Sequence, residues 1–139
     1  MIRRITMVLA LLVFASMPAM ADEREDATAA AKAIMTSLAE KNYQRLWDEQ
    51  TSKWFKERIG KESFLANITM GRSPIGKLKS SKVIDVGLTT TDPASGFKGK
   101  IYTVNFSTSY ETGNFYERIV VIEEDGRFLM SGFNGAPAP

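Results

Sequence analysis

Two carboxylates and three phenols are the side chains of this sequence best suited to chemistry. Glu111 and Glu117 stand on either side of Gly113-Asn114, a pair that reads as a turn, with Tyr102, Tyr110 and Tyr116 nearby. A chain that doubles back there can bring carboxylates and phenols to one sheet face. A carboxylate with raised proton affinity beside a tyrosine can move a proton in a hydrolase or isomerase. Glu111, Glu117 and Tyr110 are therefore the catalytic candidates. The plainer reading is the polar rim of an amphipathic sheet, because ionisable residues on strands mostly face solvent.

A second group suits binding rather than catalysis. Arg72 opens Arg72-Ser73-Pro74-Ile75-Gly76, at the junction between helical and extended halves. An arginine there can clamp an anionic group, or it can tie loop and sheet together while Pro74 and Gly76 set the turn. The flanking turn residues favour the structural role. Tyr43, Trp47, Trp54, Phe55 and Phe64 form an aromatic stripe in the helical half. Packing accounts for most of such a stripe, and a ligand pocket beneath the helices accounts for the rest. Arg72, Tyr43, Trp47 and Tyr102 are accordingly the ligand-binding candidates, for a small apolar or anionic ligand.

Whole chemistries are missing. The chain has no histidine and no cysteine. That removes cysteine nucleophiles, Ser-His-Asp triads, and zinc or haem sites built on those ligands. No cofactor and no metal is expected.

The elements that must position these residues follow from hydrophobic spacing. Ala27, Ala31, Ile34 and Leu38 mark one helix face, widened by Ala30 and Met35. The acids Asp22, Glu23, Glu25 and Asp26 are expected at that helix's N-terminal end, where its dipole favours them. Asn42 is a candidate cap for a second piece carrying Leu46 and Trp47. Thr51 or Ser52 is a candidate cap for a third with Trp54, Phe55 and Ile59. Gly60 breaks that piece, and Phe64, Leu65 and Ile68 mark a fourth. From residue 77 the rhythm becomes two. Strands are expected over 77–91, 101–110, 115–123 and 127–133, with Asp125-Gly126 as the strongest hairpin signal. The order of helices then strands gives an α+β domain, with N-terminal helices on one face of a curved antiparallel sheet of about four strands. Lysines 77, 79, 82, 98 and 100 read as edge-strand protection.

The N-terminus has the three zones of an export signal. Arg3 and Arg4 precede an apolar run over residues 5–14, and Ala19-Met20-Ala21 fits a small-x-small cleavage site. The apolar run is about half of what a spanning helix needs. Residues 1–21 are therefore read as a signal peptide cut after Ala21, 22–135 as one domain and 136–139 as a frayed tail. This implies a periplasmic or secreted product with no stable membrane insertion. Of 18 Lys+Arg and 16 Asp+Glu, two basics and no acids fall in residues 1–21. The remaining chain balances at zero, which argues against nucleic acid as a partner.

One family fits these residues. Asn42-Tyr43 with Leu46-Trp47, Thr51-Ser52 with Phe55, Phe64, and above all Arg72-Ser73-Pro74-Ile75-Gly76 resemble the pattern of domain of unknown function 4019, a family of small exported bacterial proteins. Tyr116-Glu117, Glu124-Asp125-Gly126-Arg127-Phe128 and Gly132-Phe133 complete the match. Where family members often carry Trp, Thr or Tyr, this chain has Phe64, Arg118, Phe128 and Phe133. The resemblance implies a cone like that of nuclear transport factor two and cystatin, with helices closing one side of the sheet. It implies no activity. The expectation is a non-enzymatic module that binds a small ligand or a second copy of itself across the open sheet face, with the hydrolase or isomerase as the alternative.

Overall fold

A computed structural model describes residues 17–139, with side chains from Asp22 onward. The basic zone and apolar run of the expected export signal lie outside the described residues. Helix α1 spans Met17–Ala39, α2 Tyr43–Gln50, α3 Lys53–Lys56 and α4 Lys61–Arg72, and a 3-10 turn follows at Ser73–Ile75. Strands β1 (Leu78–Asp92), β2 (Phe97–Tyr110), β3 (Gly113–Glu124) and β4 (Arg127–Pro137) form one antiparallel sheet in that order. The molecule is α+β, as the change of hydrophobic period requires.

The core lies between α1 and the sheet. Ala27, Ala31, Ile34, Met35 and Leu38 are buried at the expected helical spacing. They meet alternate residues of the central strands, chiefly Tyr102, Val104, Phe106, Ile119 and Val121. Burying an aliphatic side chain of this kind stabilises the fold by about 1.5–3 kcal/mol. Because α1 begins at Met17, the acids at Asp22–Asp26 fall within the helix rather than at its end. Glu23 instead pairs with Lys100 of β2.

The short helices hang on the β4 edge. Thr51 forms a parallel bridge with Met130, and the Ser52 N–H donates to the Met130 carbonyl at 2.9 Å. The Ser52 hydroxyl then accepts from the Phe55 N–H at 3.1 Å, so Ser52 is the cap. Glu124 adds a second cap from the sheet, accepting from the N–H groups of Lys53 (2.8 Å) and Trp54 (3.1 Å). These bonds satisfy helix donors that otherwise lack partners. Asn42 precedes α2 without a side-chain capping bond.

Three further expectations change. The β2–β3 turn is Glu111-Thr112, with Tyr110 paired to Gly113, so Gly113-Asn114 begins β3. Strand β4 continues to Pro137, pairing Ala136 with Tyr116 and Pro137 with Phe115, where the sequence suggests fraying. Trp54 also leaves the aromatic stripe. It meets Phe97 at 5.1 Å, while Trp47, Phe55 and Phe64 stay together. The hairpin at Asp125-Gly126 forms as expected, both residues taking positive φ (51° and 76°).

Candidate functional site

Arg72 is the last residue of α4, and its turn is fixed by the Pro74 and Gly76 that follow. Its guanidinium drops onto the helix-covered face of the sheet. One amino group donates to Glu117 Oε1 at 2.8 Å, and the other donates to the Tyr110 hydroxyl at 2.7 Å. The Tyr110 hydroxyl donates in turn to Glu117 Oε2 at 2.6 Å. Three side chains thus close a ring of hydrogen bonds. All are buried, with 5% of Arg72, 4% of Glu117 and 2% of Tyr110 exposed.

Register explains why Tyr110 and Glu117 meet despite the displaced turn. Glu117 lies opposite Phe106 and Tyr110 opposite Gly113, so both side chains point to the helix-covered face. The phenol ring reaches along that face to the carboxylate. On the neighbouring strand Gly135 sits opposite Glu117, and an added Cβ there would approach Glu117 Cγ to 3.2 Å. Glycine leaves this space to the carboxylate, which would otherwise have to shift by a few tenths of an ångström. The guanidinium carbon also lies 5.4 Å from the centre of the Phe133 ring and 5.6 Å from that of Tyr110.

Burial and hydrogen bonding set the electrostatics. Burial pulls the Arg72 pKa down, but bonds to Glu117 and Tyr110 outweigh it and hold the group above its usual range. For Tyr110, burial first and then the hydrogen bond to Glu117 push the phenol up to about 12, against the opposing influence of Arg72. The phenol is therefore neutral at physiological pH. Together Arg72⁺, Glu117⁻ and Tyr110 carry no net charge.

Beside the ring opens a cleft of ≈ 480 Å³ between α4 and the outer half of β3 and β4. Phe55, Phe64, Phe115 and Phe133 supply aromatic walls, Ile68 and Gly71 the helix side, and Arg72 with Glu117 the polar floor. Gly71 is a helical residue at which an added Cβ would meet nothing within 4 Å, so its place is open space.

The structure brings three of the seven candidate residues together and leaves four elsewhere. Glu111 is exposed in the β2–β3 turn. Its N–H donates to the Lys77 carbonyl at 3.0 Å, and its side chain packs on Gly76. Tyr102 shares the sheet face of Tyr110 but stands eight residues along β2, roughly 25 Å away at ordinary strand rise. There it packs edge-on to Phe128 at 5.4 Å. Trp47 lies one layer behind the cleft wall, against Phe55 at 6.4 Å and Phe64 at 5.1 Å. Tyr43 is half-buried on α2, packed against the core. Sequence reasoning missed Gly71, Phe115, Phe133 and Gly135. Gly132, inside the expected fourth strand, was the available signal, since strand glycines mark close approach; Gly135 lay beyond that strand's expected end. Among the described residues no cluster of three or more acidic side chains is placed to hold a metal ion.

A family model described as a protein of unknown function, DUF4019, matches residues 30–133, and the chain belongs to that family. The matched span contains α2–α4, the whole ring and every residue that lines the cleft except Gly135. A search of curated proteins finds no match.

The raised Tyr110 pKa fixes the sign of a pH effect. The folded value lies above the unfolded value of about 10. The stability carried by the neutral phenol is therefore complete below about pH 10 and is lost as pH rises from there through about 12. Urea midpoints should fall more steeply over that window in the wild type than in Tyr110→Phe. Equal slopes, or a Tyr110 phenol titrating at the ordinary value by carbon NMR, would contradict the buried ring.

Proposed function

We propose that this chain is an exported, non-enzymatic binding domain that takes a small ligand in the cleft between α4 and β3–β4. The observation that carries this reading is the lining. Aromatic and aliphatic walls surround a few convergent polar groups, in a volume within the usual 300–1,000 Å³ range for ligand sites.

Binding is supported over a hydrolase or isomerase by what the polar groups are already doing. Each oxygen of Glu117 accepts a hydrogen bond from within the ring, so neither is poised as a free base. Tyr110 keeps its proton far above neutrality and spends it on Glu117. Glu111, the other carboxylate candidate, faces solvent on a turn.

Export is supported by the three-zone N-terminal pattern and by where packing starts. Among the described side chains of α1, Ala27 is the first in the hydrophobic core, five positions beyond Asp22. Among the described residues no helix is long and apolar enough to cross a membrane. N-terminal sequencing of protein recovered from a periplasmic fraction should begin at Asp22. Product retained with Met1 or Arg3 intact would refute export by cleavage.

Cleft binding has its own test. A neutral apolar dye such as Nile red should bind the mature protein with enhanced fluorescence. Gly71→Leu should fill the cleft and abolish that signal. It should leave the fold intact, because leucine in a helix is more favourable than glycine by up to about 1 kcal/mol. Undiminished dye binding by a folded Gly71→Leu protein would count decisively against the cleft.

A further inference from the structure

We infer that the ligand of this cleft is uncharged, an apolar body carrying a hydroxyl or amide head group that sits on Arg72 and Glu117. The inference rests on the cleft being the binding site proposed above, and it names the class of molecule that site accepts.

Charge is the first argument. Among the described residues, Arg72 and Glu117 are the only ionisable ones lining the cleft. They lie 2.8 Å apart and neutralise one another. An arginine waiting for an anion would have no internal counter-ion. This one is already paired, and both partners are almost wholly removed from water. A ligand carboxylate entering here meets Glu117 as well as Arg72, two negative charges for one positive. A ligand ammonium meets Arg72 as well as Glu117, with the signs reversed. Either ion gives up its hydration without gaining a free counter-charge, and a desolvated charge lacking a partner is strongly unfavourable.

Hydrogen-bonding capacity is the second argument. A guanidinium has five N–H donors, and the ring commits two contacts from Arg72. An ionised carboxylate has about four acceptor positions, and the ring occupies two on Glu117. Both side chains that line the cleft floor therefore keep unused capacity, donors on Arg72 and acceptors on Glu117. Asn67, also on the lining, offers both an amide donor and a carbonyl acceptor. A hydroxyl or primary amide, which donates and accepts at once, matches this floor with no change in net charge. Tyr110 already makes that match from the protein side, accepting from Arg72 and donating to Glu117. The ligand head repeats the role of the phenol on the open side of the same ion pair.

Size and wall chemistry set the rest of the molecule. The floor offers a single polar spot, and the walls are mainly phenyl rings and branched aliphatic chains. A ligand with polar groups spread along its length, such as an oligosaccharide, would leave most of them without partners.

The test uses three probes with one body and different heads: phenylbutanol, phenylbutanoate and phenylbutylamine. Each is titrated into the nitrogen-15-labelled mature protein at neutral pH, and the amide signals of Gly71, Gly132 and Gly135 report cleft occupancy. Phenylbutanol should bind about tenfold or more tightly than either ion, and Gly71→Leu should lose its shifts. Phenylbutanoate or phenylbutylamine binding as tightly as the alcohol at those three glycines would overturn the head-group inference and leave the cleft reading standing. No shift at those glycines with any probe, or shifts that persist in folded Gly71→Leu, would overturn the cleft reading and the inference together.

Discussion

The ion pair between Arg72 and Glu117 is the constraint on which the rest of this molecule depends. Burying a charge is unfavourable unless a partner and hydrogen bonds replace water, and here both are supplied within one ring. The demand reaches outward in both directions. Arg72 must lie at the very end of α4 so that its side chain can descend to the sheet, and Pro74 and Gly76 then turn the chain away. Glu117 must face the helices from the middle of β3, and Gly135 leaves room beside it. Tyr110 completes the ring from the last position of β2. The cleft is a consequence of this arrangement. The ring pins the end of α4 to the sheet, while Gly71, one residue earlier, leaves a gap where a side chain could have closed it.

Capping from the sheet plays the corresponding role at the other end of the short helices. Helix α3 has four residues, too few to be stable by itself. The Ser52 hydroxyl and the Glu124 carboxylate hold its first N–H groups, and the Thr51–Met130 bridge anchors its start to β4. Phe55 is thereby placed on the cleft wall against Phe64, at 5.8 Å between ring centres. Glu124 thus has a reason to stand directly before the Asp125-Gly126 hairpin. The turn delivers β4 to the edge, and the residue before the turn fixes the helix that packs there.

Most of the fold was legible because its periodicities are strong. Ala27, Ala31, Ile34 and Leu38 gave the α1 face, and the alternation from Tyr102 to Tyr110 gave the buried face of β2. The displaced turn at Glu111-Thr112 is instructive. Placing it at Gly113-Asn114 shifts the pairing by an even number of residues. Side chains alternate with a period of two, so an even shift keeps Tyr110 and Glu117 on one face, where a shift by one would have separated them. Half of the site was legible for that reason. Arg72 joined it because a turn motif fixed where the helix ends. Phe115 and Phe133 were not legible as cleft walls, because which aromatic lines a gap depends on how β4 and α4 meet, and no local pattern records that. Trp54 left the predicted stripe because adjacent residues of a one-turn helix point apart, sending Phe55 inward and Trp54 towards Phe97.

The central claim is that Arg72 and Glu117 form a mutually dependent buried pair. Urea unfolding of Arg72→Met, Glu117→Met and the double variant tests it most directly. Arg72→Met alone leaves Glu117 buried without its counter-ion and should lose about 3–5 kcal/mol, whereas the double variant should lose less than Arg72→Met alone. If Arg72→Met loses less than about 1 kcal/mol, as an exposed ion pair would, or if the two single losses simply add, the account is wrong.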